Sequence, residues 1–230
     1  MRTKQEDLHQ RYATFGRVQI ENYLSVTEAD ALTDIAQSNV PWVLNFRELG
    51  KSINLTERDF LLLSDANRSE LSRRIDTLAR EDFQYSYFSV SLAPTDVSTM
   101  APDSPIRLIS SKIMSRDFMN PLREFVGDSA IRGLTASLTR YDCGQYLLPH
   151  DDTDGTDDRR AAFVLNLSED GWPDWGGLLQ FIDARRNVAE TFTPHHNSLS
   201  LFKVPQFHAV SQIAAHAPRS RYAISGWLIA

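Results

Sequence analysis

The sequence predicts an α+β chain, with supporting helices in residues 1–130 and a double-sheet jelly roll over about 131–230. Three observations point to it. Apolar residues recur at helical spacing through the first half. Short apolar segments then alternate with turn-rich pieces from Ile131 onward, the pattern of a β-sandwich or barrel. No repeat, low-complexity tract or linker separates the two parts, so residues 1–230 are expected to form a single domain.

The elements follow in order. Val18 to Tyr23 reads as a short strand, and Ser25-Val-Thr-Glu28 as a capping box ahead of Ala29, Leu32, Ile35 and Ala36 at helical spacing. Further helices are expected from about Thr56 to Leu63 and from about Asn67 to Arg80, the latter with a Leu71, Ile75, Leu78, Ala79 stripe. In Phe83 to Leu92 aromatic and β-branched residues alternate with Ser, which predicts a strand or the first arm of a hairpin. The Pro-, Ser- and Asp-rich piece after it suits a binding loop or simple surface disorder, and the region Ser89 to Pro105 a mobile flap over a peptide. Ser110 to Val126 looks helical, with Pro121 opening a new turn. The β-segments are Leu134 to Tyr141, Ala161 to Leu167, Leu178 to Ile182, Val188 to Phe192, Leu199 to Val204, Ala209 to Ile213 and Tyr222 to Ile229.

Composition narrows the function. At 230 residues and 42% hydrophobic, the chain can bury a full core. A net charge of −6 without a basic block disfavours nucleic acid as a partner. No stretch approaches the roughly 18 apolar residues of a membrane span. The polar start MRTKQEDLHQRY lacks the apolar centre of a signal peptide, and the single Cys143 excludes an internal disulfide. A cytoplasmic location is the expectation.

The stretch Tyr141 to Asp152, YDCGQYLLPHDD, carries a His-x-Asp pair, His150 and Asp152. In an extended strand, residues two apart project to one side, so both can share a metal given a third ligand. His208, opening the late apolar segment, supplies it. Two histidines and a carboxylate form a facial triad suited to ferrous iron; three ligands also suit a catalytic zinc with water, and the carboxylate leans toward iron. Arg221 enters an apolar final strand, where a buried guanidinium needs an anion. That anion is either a structural carboxylate or the distal carboxylate of a 2-oxo acid, which the fork geometry suits. Asp151, Asp154, Asp157 and Asp158 miss the EF-hand pattern at its first and last ligands and read as a solvated turn. His9, His195, His196 and His216 read as surface residues, and Gly176-Gly177 as a tight turn.

Together YDCGQYLLPHDD, FVLNLSEDGWPDWGGLLQFID, LFKVPQFHAVSQI and RYAISGWL resemble the iron(II)- and 2-oxoglutarate-dependent oxygenases, within them the prolyl 4-hydroxylase-like branch. The likeness covers roughly Leu134 to Ala230. It implies a double-stranded β-helix core, His150, Asp152 and His208 as Fe(II) ligands, and Arg221 as the holder of 2-oxoglutarate. It also implies a co-substrate contact from Tyr141. Where several relatives place a tyrosine after His-x-Asp, this chain has Asn166 as the substitute. Trp227 reads as pocket wall or core.

What the resemblance implies is a dioxygenase that hydroxylates an aliphatic carbon with O2 and 2-oxoglutarate, releasing succinate and CO2, with L-ascorbate as a stimulant. The expected substrate is a prolyl residue of a protein or peptide, for example a ribosomal protein or elongation factor. A free amino acid or small biosynthetic intermediate is the alternative, and a non-catalytic jelly-roll binding module the competing class. Asp152 argues against halogenases, which lack this carboxylate. Trp227 argues against nucleic-acid demethylases, which place a second arginine six residues after the first.

Overall fold

Side-chain caps set where the helices begin. The computed structural model describes residues 3–153, 155 and 158–230. Thr3 and Ser25 close capping boxes with Glu6 and Glu28 at the starts of α1 (Lys4–Phe15) and α2 (Val26–Ala36). Each hydroxyl accepts an orphaned first-turn N–H while the glutamate returns a bond to the cap. Ser25→Ala is therefore expected to cost about 1 kcal/mol, read as a lower urea midpoint at unchanged slope. Sequence periodicity misses α1, whose Leu8 and Tyr12 sit in a strongly polar run.

After β1 (Arg17–Ile20) comes a hairpin that the sequence reading also misses, β2 (Val43–Glu48) and β3 (Lys51–Thr56). Thr56 and Ser64 cap α3 (Glu57–Leu62) and α4 (Asp65–Leu78). Of the expected α4 stripe only Ile75 is fully buried. β4 (Tyr85–Ser91) is not a hairpin arm but a junction, pairing with β2, with β5 (Gly133–Tyr141) and with β6 (Tyr146–His150).

The expected flap is corrected. α5 (Pro94–Val97) buries Val97, Met100 packs against the core, and Ser110 Oγ donates to Leu92 O at 2.7 Å. This stretch leaves the end of β4 that pairs with Ser137, while Tyr85 and Ser86 at the other end pair beside His150. The single helix expected over 110–126 is two, α6 (Pro105–Ile113) and α7 (Arg116–Val126). Ser115 caps α7, so the chain restarts there. Pro121 lies inside α7 at an exposed position, where it removes one intrahelical N–H without opening the turn.

The remaining strands are β7 (Arg159–Asn166), β8 (Leu179–Ile182), β9 (Val188–Phe192), β10 (Leu199–Lys203), β11 (His208–Val210) and β12 (Arg221–Ile229). They form two antiparallel four-stranded sheets, β5–β12–β7–β10 and β6–β11–β8–β9, joined through β4. This is the jelly roll. One face of the first sheet, with Leu138, Phe163, Leu165 and Ile224, packs on the helices through Ile109, Phe118 and their neighbours. The other face, with Ala162 and Phe202, meets Leu179, Phe181 and Phe192 of the second sheet. Between the sheets a polar set is buried as well: Thr139, Asp152, Asn166, His208 and Arg221. Among the described residues no helix is long and apolar enough to cross a membrane.

Candidate active site

Buried polar groups persist only where partners or ligands meet them, and the inter-sheet space gathers several. His150 ends β6 and His208 begins β11, directly opposite in the ladder, with ring centroids 4.2 Å apart. Asp152 joins them by a route the sequence reading gets wrong. β6 stops at His150, and Asp152 sits in a left-handed turn with φ 67. The turn, and not strand alternation, brings its carboxylate to 3.3 Å from His150 Nε2 and 3.6 Å from His208 Nε2. Aspartate tolerates that backbone better than most residues. Arg159 steadies it by donating from Nη1 to Asp152 O at 3.1 Å, with its guanidinium 3.9 Å over the Trp227 ring.

Protonation states follow from the partners. His150 Nδ1 lies 3.0 Å from Leu148 O, and His208 Nδ1 2.7 Å from Gln206 O. Carbonyl oxygens only accept, so each Nδ1 carries its proton. Burial and then His150 push His208 down to about 4, against the opposing pull of Asp152, so it is neutral near pH 7 and presents a bare Nε2. Burial pushes the Asp152 carboxyl up, but His150, His208 and the indole of Trp227 outweigh it and hold it low. Trp227 Nε1 is itself buried without completing a hydrogen bond. The ligand atoms of three side chains thus converge, all within 4.8 Å of one another. That is near the ~4 Å that one ion with bonds of about 2.1 Å can span. The donor set fits a metal ion.

Arg221 lies deeper, 5% exposed, on the same β12 face as Trp227. Its Nη2 donates to Asn166 Oδ1 at 3.2 Å, its guanidinium lies 5.4 Å from the Tyr141 ring, and its Nε is buried with no acceptor. Among the described residues no carboxylate pairs with it. Asn166 spends its amide N–H on Ser198 Oγ at 3.1 Å, so it orients the guanidinium from behind. The Gly176-Gly177 turn belongs to this region. A Cβ on Gly177 would stand 2.9 Å from Arg221 Cδ, and one on Gly176 1.9 Å from Gln212 O, with both residues at positive φ.

An aromatic row connects the two ends. Phe83 lies 5.5 Å from the His150 ring, then come Tyr85, Tyr87 and Tyr141 at successive spacings of 5.8, 5.5 and 5.1 Å. The alternation in FQYSYFSVSL was the signal for it, read only as a strand. Tyr87, buried and beside Tyr85 and Asp152, is pushed up to about 12; Tyr141 is pushed higher by burial and Tyr87, against the pull of Arg221. Tyr23 is also pushed up to about 12 by burial, and burial raises Tyr12 and Tyr146. Folded phenols thus hold protons that unfolded ones release near pH 10, so stability is intact below pH 10 and lost as pH rises toward 12. Each such group contributes about 1.4 kcal/mol per pH unit in that window, and thermal melts from pH 9 to 12 should show a steep fall.

The other expectations fall as follows. Asp151 accepts from Thr153 N and Oγ at 3.0 and 2.6 Å, turned from the triad, and Asp158 pairs with Arg160. Asp154 and Asp157 lie outside the described residues. His195 and His216 sit beside the exposed Asp170 and Asp174. His196 is half-buried with Nε2 3.1 Å from Thr33 Oγ1, a contact the surface assignment misses. Cys143 is exposed.

Residues 136–229 match the model of the 2OG-Fe(II) oxygenase superfamily. Over 125 residues, 49% of this chain, the sequence is 31% identical to prolyl 3-hydroxylase sudestada1 of Drosophila melanogaster, and the match spans 23% of that protein's length. A Pseudomonas putida prolyl-4-hydroxylase superposes with a TM-score of 0.58 at 17% identity, covering 98% of both chains. A Trichoplax adhaerens prolyl hydroxylase, solved in complex with a hypoxia inducible factor oxygen degradation domain peptide fragment, superposes with a TM-score of 0.62 at 19% identity. That match covers 98% of this chain and 88% of the other.

Proposed function

We propose that this chain, whose residues 136–229 match the 2OG-Fe(II) oxygenase model, is such an oxygenase and hydroxylates an aliphatic carbon of a prolyl residue in a protein or peptide. The observation that carries the reading is the convergence of His150, Asp152 and His208 near a buried Arg221 that meets no carboxylate among the described residues. His150, Asp152 and His208 hold Fe(II), with His208 kept neutral by burial and the Asp152 carboxyl held low by its neighbours. Arg221 receives the distal carboxylate of 2-oxoglutarate with Nε and Nη donors, Asn166 fixes the plane of its fork, and Tyr141 walls the same chamber. Bound Fe(II), with O2 and 2-oxoglutarate, supplies the oxidising chemistry that turns C–H into C–OH as 2-oxoglutarate becomes succinate and CO2. Phe181, Phe202 and Trp227 exclude water around the triad. Residues 1–230 act as one unit in this reading, since β1 extends the first sheet through β10 and β2–β3 extends it through β4.

The prolyl assignment is supported by the named activity of the 31% identical relative. The test is succinate release from 2-oxoglutarate with Fe(II) and O2, followed by a search of treated lysate peptides for a one-oxygen mass gain. A gain on proline supports the assignment. A gain on free amino acids alone moves the substrate to that class, and absence of both iron binding and turnover overturns the proposal.

A further inference from the structure

We infer that Arg47, at the rim of the site, is a second carboxylate-binding residue and selects prime substrates that carry a carboxylate beside the acceptor carbon. The inference rests on the oxygenase reading for its acceptor, but stands on separate residues. Arg47 lies on β2 with its backbone clamped by Gln84, whose Oε1 accepts from Arg47 N at 2.7 Å and whose Nε2 donates to Arg47 O at 2.8 Å. Gln84 is 1% exposed, so the clamp is rigid and independent of the arginine side chain. The β2–β4 register puts Phe46 opposite Ser86 and Asn45 opposite Tyr87, so Arg47 shares the face of Tyr85 and Tyr87. Ser52, opposite Arg47 on β3, bonds Tyr85 Oη at 2.7 Å on that same face.

The guanidinium is half-buried and lies 5.5 Å from the Phe83 ring, which lies 5.5 Å from the His150 ring. Its Nη2 donates to Gly50 O at 3.0 Å, and its Nε is buried with no acceptor. Among the described residues no carboxylate pairs with Arg47. The half-buried Arg17 and Arg140, by contrast, each meet one, Glu190 and Glu57. Arg47 thus repeats at the rim part of what Arg221 shows at the floor: a guanidinium near an aromatic ring with a buried, unfilled Nε, here on a backbone held by a buried amide. One ring-to-ring step from the triad, the anion it fits belongs to the substrate whose carbon is oxidised. An acidic side chain of a peptide and the carboxylate of a free amino acid offer the same chemistry.

The test uses the full chain loaded with Fe(II) and 2-oxoglutarate without oxygen. Binding is measured for proline-containing peptides carrying glutamate at successive positions and for their glutamine counterparts, with free proline and prolinamide as the second arm. At its best position the acidic peptide is expected to bind roughly ten- to a hundredfold tighter than its amide twin. Arg47→Gln should abolish that preference, and Arg47→Lys should retain part of it, because charge remains while the fork is lost. Discrimination confined to the second arm keeps the inference and names the small carboxylate as source. Equal binding of acid and amide in both arms, absence of binding in both, or a preference that survives in Arg47→Gln overturns it. Admitting oxygen then separates the two proposals: Arg47-dependent binding without hydroxylation overturns only the oxygenase reading.

Discussion

His150→Ala is expected to lower Fe(II)-dependent succinate formation by on the order of a thousandfold, because losing a group that only hydrogen-bonds a ligand already costs roughly 10- to 100-fold at metal sites and this removes a ligand. His150 is the most accessible of the three, its side chain 20% exposed, and Ala would leave a partly wet gap instead of an empty core cavity. The fold should therefore persist, with an unchanged far-ultraviolet spectrum and a melting temperature near wild type. What changes is the metal site: only Asp152 and the neutral His208 remain. Metal titration followed by chelator competition reads the loss directly. Wild-type metal affinity in the variant would sink the assignment of His150.

Arg221→Met should separate function from stability. Among the described residues no anion meets the buried wild-type guanidinium, a placement that costs free energy until a carboxylate arrives. Methionine replaces it with an apolar side chain of similar length. The expected result is a loss of 2-oxoglutarate affinity of about a hundredfold or more, from removal of a charge-assisted fork. Metal binding should hold, and the metal-free protein should melt at the same temperature or higher. Saturating 2-oxoglutarate should raise the melting temperature of the wild type and leave that of the variant unmoved. An Arg221→Met protein that melts much lower without co-substrate would show that Arg221 serves the core instead.

The metal-ligand candidates were legible because their chemistry is uncommon in that order: His-x-Asp, a distal histidine, then an arginine opening an apolar strand. The jelly roll was legible because seven short apolar segments leave a period that survives uncertain boundaries, although β6 was not among them. The hairpin β2–β3 was not, since KSINLT alternates weakly and the hairpin is anchored by β2 pairing with the distant β4, Val43 opposite Ser89. Pro121 misled in the opposite direction. A proline is a strong local signal, yet the cap at Ser115 decided where the helix restarts.

The His-x-Asp pair marks the boundary between what each level decides. Residue identity by itself determined which atoms can bind a metal and that a buried arginine wants an anion, because donor chemistry and charge belong to side chains wherever they sit. Only the tertiary structure decided how they meet. Asp152 reaches the histidines through a left-handed turn braced by Arg159. Asn166 turns its oxygen to Arg221, and Phe83 links the rim to His150. Those are distances between strands far apart in sequence. They are set by ladder register and packing across two sheets, which a local pattern does not encode.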